Sequence, residues 1–125
     1  MIRDMNLIRE LLLFAEENSR AVVGADVAID DLSNCDDNEK LHGHLNLLRD
    51  AGFTKKVYEN MDSYSVGELT NKGHDFLDSV RDKEIWRETK EVGQKVGGWT
   101  MELLGEIAKG FLKTKIKKHT GLEIE

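Results

Sequence analysis

The sequence predicts a mainly α protein with a small β-hairpin, and three observations predict it. Leu41, Leu45 and Leu48 recur at helical spacing, with His44 and Leu47 on the flanks. Ala51-Gly52-Phe53 ends that helix, because glycine takes the left-handed conformation after a last turn and the next apolar residue folds back. Two short strand-like runs follow, Thr54–Tyr58 and Tyr64–Leu69, around the turn-forming linker Glu59-Asn60-Met61-Asp62-Ser63. Helix, glycine stop, hairpin and a further helix capped by Thr70 is the order of a winged helix (a winged helix-turn-helix). The expected organisation is a winged-helix-like core over residues 1–80 and a helical extension over 81–125, packed on the same single domain.

Residues 4–17 read as an amphipathic helix, with Met5, Ile8, Leu12 and Ala15 in a stripe widened by Leu11. Asp4 is its expected cap, or Asn6 if the start lies later. Weak alternation over Ala25–Ile29 predicts a short strand near Val27–Ile29 that pairs with the hairpin; one helical turn including Leu32 is the alternative. The acidic, turn-rich segment from Asp30 to Asp37 stands where the first helix of a helix-turn-helix belongs, so that helix is expected to be short, replaced or missing.

The helix from about Asp37 to Ala51, capped by Asp36 or Asp37, then occupies the recognition-helix position. Asn38, Glu39, His42, Gly43, Asn46, Arg49 and Asp50 are its expected exposed positions. Lys40, His42, Asn46 and Arg49 are candidate contacts to double-stranded DNA, joined by Lys55 and Lys56 at the start of the hairpin. Against this, Asp36, Asp37 and Glu39 would repel phosphate at the end usually pushed into the groove, and Glu59 and Asp62 hold the wing tip. The plain alternative is a solvated helix face and a strand edge guarded by lysine.

After Thr70, Phe76, Leu77 and Val80 form the buried face of a helix. Asp82 caps a separate one, Lys83–Val96, bearing Ile85, Trp86, Val92 and Val96, and Gly97-Gly98 marks a turn. The last helix opens at Thr100. Leu103, Leu104, Ile107, Ala108, Phe111, Leu112 and Ile116 make a broad stripe with Trp99 and Met101 beside it, and Gly121 ends it. Lys113, Lys115, Lys117 and Lys118 suit the negative end of the helix dipole. The stripe is wider than a small domain needs, and Gly105 and Gly110 inside it suit close helix packing. Leu104, Phe111 and Ile116 are therefore the candidate self-association residues, in an antiparallel or offset homodimer.

The totals narrow the function classes. The 125 residues are 39% hydrophobic and 34% charged, with a net charge of −6. Residues 1–35 carry three basic and seven acidic groups, and residues 99–125 carry five and four. Most nucleic-acid-binding domains are basic, so this balance counts against strong general DNA binding. The longest wholly apolar run, Leu11–Ala15, is far short of the ~20 residues of a membrane span, so no membrane partner is expected. Arg3, Asp4, Arg9 and Glu10 interrupt the apolar residues near the start, so no signal peptide is expected. Cys35 is the single cysteine, which forbids an intrachain disulfide and suits a reducing cytoplasm.

No catalytic set stands out. His42 and His44 are two apart on a helix and cannot chelate one metal together, and Cys35 lacks the partners of a zinc site. Gly93, Gly97 and Gly98 follow no strand and precede no Gly-Lys-Ser/Thr, so they form no phosphate loop. The chain is expected to be no enzyme and to hold no cofactor and no metal.

Several stretches, taken in order, resemble the domain of unknown function 2513 family. They are Arg3-Asp4-Met5-Asn6-Leu7-Ile8-Arg9, His44–Phe53, Thr70-Asn71-Lys72-Gly73-His74-Asp75-Phe76-Leu77-Asp78 and Ile85-Trp86-Arg87-Glu88-Thr89-Lys90. The resemblance covers roughly residues 3–112. It implies a cytoplasmic bacterial, phage or prophage protein with a winged-helix-like core, and carries over no activity and no site residues. Two functions follow as expectations: a DNA-binding or regulatory accessory protein, or a module that keeps the scaffold and binds a protein partner.

Overall fold

The computed structural model describes residues 1–57, 63–97 and 100–121. Among these it is mainly helical, with five α-helices and one two-stranded antiparallel sheet. The chain divides into two compact units, Met1–Leu77 and Asp78–Glu125.

In the first unit, helix α1 (Met5–Asn18) starts where Asp4 accepts hydrogen bonds from the N–H groups of Asn6 and Leu7. Met5, Ile8, Leu11, Leu12 and Ala15 are buried as their spacing requires, and Leu7 joins them. Strand β1 (Ala25–Val27) pairs with β2 (Tyr64–Val66) in the register Ala25–Val66, Asp26–Ser65 and Val27–Tyr64. The strand expected at Val27–Ile29 thus sits two residues earlier. A tight turn closed between Arg20 and Gly24 starts it, with Val22 and Gly24 both left-handed (φ 75° and 67°). The Asp31 carboxylate ends it, accepting the Ala28 N–H (2.9 Å) that a longer strand would need, so Ile29–Asp31 coils into a 3-10 turn.

Helix α2 (Asn38–Asp50) is capped by Asp37 through the Glu39 N–H (2.9 Å). At its end Gly52 is left-handed (φ 76°), Gly52 N–H donates to the Arg49 carbonyl and Phe53 N–H to the Leu48 carbonyl. These are the paired bonds of a Schellman stop. Beyond it, among the described residues, the hairpin is held by the bridge from Thr54 to Leu69 and by two bonds, from Lys55 N–H to the Glu68 carbonyl (2.9 Å) and from Thr70 N–H to the Phe53 carbonyl (3.0 Å). Of the expected run Tyr64–Leu69 only Tyr64–Val66 is strand. Just past it, Gly67 lies so close to the Lys55 carbonyl that a Cβ would overlap it. Tyr58 and the linker up to Asp62 lie outside the described residues.

Helix α3 (Asn71–Val80) opens where the Thr70 hydroxyl accepts the Gly73 N–H (3.1 Å). Phe53 and Phe76 stack at 4.9 Å between ring centres. Leu45, Leu48, Phe53, Phe76 and Leu77 are buried with Ile8 and Leu12, so the first unit has the core its stripes require.

The second unit holds α4 (Lys83–Val96), capped by Asp82, and α5 (Met101–Thr120), capped by Thr100 and stopped at left-handed Gly121. Lys115 reaches the Asp82 carboxylate at 2.6 Å, tying the later turns of α5 to the start of α4, so the two helices run in opposite directions. Ile85 and Trp86 are buried, but Val96 is 63% exposed. The expected α5 stripe is only partly used. Leu104, Gly105 and Ala108 are buried, whereas Leu103, Ile107, Phe111, Leu112 and Ile116 are half-exposed. Leu104 is therefore removed from the self-association candidates, because a fully buried side chain offers a second copy nothing. Gly110 faces open space and serves no close approach among the described residues. Trp99 and Gly98 lie outside the described residues.

Candidate nucleic-acid interface

The six candidate DNA contacts lie on α2 and on the arm that follows it. Helical periodicity turns Leu41, Leu45 and Leu48 inward, which leaves Asn38, Glu39 and Asp50 exposed and His42, Gly43, Asn46 and Arg49 half-buried. The Met1 side chain lies against Gly43, where a Cβ would collide with its sulfur.

Most of the polar groups on this face are already engaged within the chain. The Lys40 ammonium donates to the Asp4 carboxylate at 2.9 Å and to the Asn34 carbonyl at 3.2 Å. Asp4 raises the Lys40 pKa in return, through that hydrogen bond first and its charge second. Burial pushes Asp4 up, but Lys40 and the N–H groups of Leu7 and Asn6 outweigh it and hold the carboxyl below its usual value. The His42 ring tilts against Tyr64, 5.6 Å between centres. Arg49 donates to the Asn46 amide oxygen, so these two candidates satisfy each other. Lys55 is paired with Glu68 across the bridge at 2.9 Å. Lys56 is exposed and has no ion-pair partner among the described residues.

The helix therefore presents few uncommitted cations and begins with Asp36, Asp37 and Glu39, all exposed. The structure brings Lys40, His42, Asn46 and Arg49 onto one helix and sets Lys55 and Lys56 on the adjoining arm. It supplies acidic or amide partners beside Lys40, Arg49 and Lys55.

Two groups that shape this site are not evident from local sequence. His44, expected on a flank, is fully buried. Its Nε2 accepts the Asp4 N–H at 2.8 Å, which fixes the proton on Nδ1, and Nδ1 donates to the Lys40 carbonyl at 2.8 Å. Burial lowers the His44 pKa, keeping the ring neutral. Glu10, on α1, accepts the N–H groups of Ser33 (2.7 Å) and Asn34 (3.0 Å), pinning the acidic segment before α2. Asp4 links both. The one available signal is that polar His44 falls among the apolar positions Leu41, Leu45 and Leu48.

Among the described residues, no group of three or more His, Cys, Asp or Glu is placed to hold a metal ion, and no helix is long and apolar enough to cross a membrane.

The profile of the family described as "Hypothetical protein (DUF2513)" matches residues 2–99. A protein of Haemophilus influenzae (strain ATCC 51907 / DSM 11121 / KW20 / Rd), named only "Uncharacterized protein", is 31% identical over 93 residues, covering 72% of this chain and 76% of its own length. No solved structure matches the chain. Neither the family description nor the relative's name carries a phage or prophage setting. The matched residues run from just before Asp4 through α4, so the helices that carry Asp4, His44 and the candidate contacts fall within them, and on that match this chain belongs to the family of hypothetical proteins with domain of unknown function 2513.

Proposed function

We propose that the chain is a cytoplasmic regulatory or accessory protein whose first unit is winged-helix-like, and that its α2 face binds a protein partner without a catalytic step. The scaffold reading rests on element order: α1, β1, α2, the Thr54–Leu69 bridge, β2 and α3, with the 3-10 turn standing where a helix-turn-helix has its first helix. The carrying observation is the Lys40–Asp4 ion pair at 2.9 Å. A lysine at a reading position is held by a carboxylate of the same chain, behind an acidic helix start, and phosphate would have to compete for it. A protein surface with mixed donors and acceptors suits such a face better than a polyanion.

A second reading, a DNA-binding accessory protein in the phage or prophage setting that the resemblance implies, is favoured by exposed Lys55 and Lys56 on the wing side. Fluorescence anisotropy with a random duplex pool at low salt separates the two. No binding by the parent protein is the expected result. Salt-dependent binding that weakens in the Lys55→Ala/Lys56→Ala variant, with a slope flatter by up to ~2, would transfer the function to DNA.

A further inference from the structure

The second unit carries a surface that neither reading of α2 uses. Between α4 and α5 lies an open groove of about 350 Å³. Ile85 and Phe111 supply its apolar floor, Glu84 and Glu88 its wall on α4, and Lys115 and Lys118 its wall on α5. The Glu88 and Lys118 side chains make no hydrogen bond or ion pair among the described residues. Lys115 is bound to Asp82 and also feels the charge of Glu84. From Gly110 to Gly121 the chain has four lysines and no acidic residue.

We propose that this groove is a contact between two copies of the chain related by a twofold axis. A groove with acid on one wall and base on the other is complementary to itself: a twofold rotation lays the basic wall of one copy on the acidic wall of its partner. Polyanions such as nucleic acid or an anionic membrane meet Glu84 and Glu88, and a strongly basic partner meets Lys115 and Lys118, so each is repelled by one wall. A second copy satisfies both walls at once, which is the defining property of an isologous contact. Half-exposed Phe111 lines the groove, and half-exposed Leu112 and Ile116 follow it along α5. The arrangement also answers the crowding of the basic helix ends. In parallel they would repel; across the twofold each lies on the other's glutamates. The inference does not depend on what α2 binds.

Light scattering on the full chain from micromolar to submillimolar concentration tests it, with circular dichroism to establish that every variant is folded. The parent protein is expected to show a dimer mass that falls as salt rises. Glu88→Lys and Lys118→Glu, each alone, set like charges across the twofold and are expected to weaken dimerisation roughly tenfold or more. An equimolar mixture of the two variants is expected to regain the dimer. The new cation of one copy would then meet the new carboxylate of the other, while the native Glu88 and Lys118 meet at the second contact. A monomeric parent, single variants that stay dimeric, or a mixture that stays monomeric would each overturn the proposal.

Discussion

Asp4 and Asp82 do the same local work in two different settings. Each caps a helix by accepting two backbone N–H groups, Asp4 for α1 and Asp82 for α4. Each also receives a lysine from a helix distant in sequence, Lys40 at 2.9 Å and Lys115 at 2.6 Å. The difference lies behind the carboxylate. Behind Asp4 is the fully buried His44 ring, which joins the Asp4 backbone to the Lys40 carbonyl, so cap, ion pair and core form one connected set. Asp82 and Lys115 meet at the surface, and Lys115 also lines an open groove. A lysine–aspartate pair is thus no measure of rigidity. What sits beneath it decides, because a buried polar group that loses its partner cannot turn to water.

The largest effect expected on the buried side comes from the core itself. Leu48→Ala should cost ~2–5 kcal/mol in urea unfolding, since Leu48 is fully buried and the site can collapse only in part. His44→Ala should follow at ~2–4 kcal/mol, combining lost packing with a stranded Asp4 N–H. A loss under ~1 kcal/mol for His44→Ala would dissolve the contrast between the two caps.

The same histidine gives the pH test. Burial sets its folded-state pKa below the ordinary 6.5, so the unfolded chain binds the proton more readily. Its contribution is then complete above about pH 6.5 and is lost as the pH falls toward the folded value. Unfolding midpoints should drop on acidification through that range, and the drop should shrink in His44→Gln. Equal slopes in the two proteins would place the titration elsewhere.

On the exposed side the effects are smaller and screened. Lys40→Ala should cost about 1 kcal/mol, since the pair with Asp4 is only partly shielded from water even though it rests on a buried frame. Lys115→Ala should be smaller still and vanish in high salt. Asp82 adds an acid limb. The Lys115 hydrogen bond first, then the cap N–H groups, lower its pKa from 3.8 to about 2. Its contribution is present above 3.8 and lost as pH falls through about 2, so Asp82→Asn should flatten the stability curve only in that window.

Much of the fold was legible because its signals are local. Asp4, Asp37, Asp82 and Thr100 cap within three residues of themselves, and Gly52 and Gly121 stop helices through their own φ. The candidate site was legible only as a set of positions. Reading Lys40 and Arg49 as available cations required knowing what stood opposite each, and Asp4 is 36 residues from Lys40.

By itself, then, the sequence determined the helices, their ends, and which stripes turn inward, since 3.6-residue periodicity and capping act over one turn of chain. Only the tertiary structure decided the register of Val27 on Tyr64, the 3-10 turn at Ile29–Asp31, the burial of His44 and which residues of the α5 stripe are buried. Each of these depends on a partner many residues away or on a competition between two acceptors for one N–H. Composition and spacing carry no information about which partner arrives.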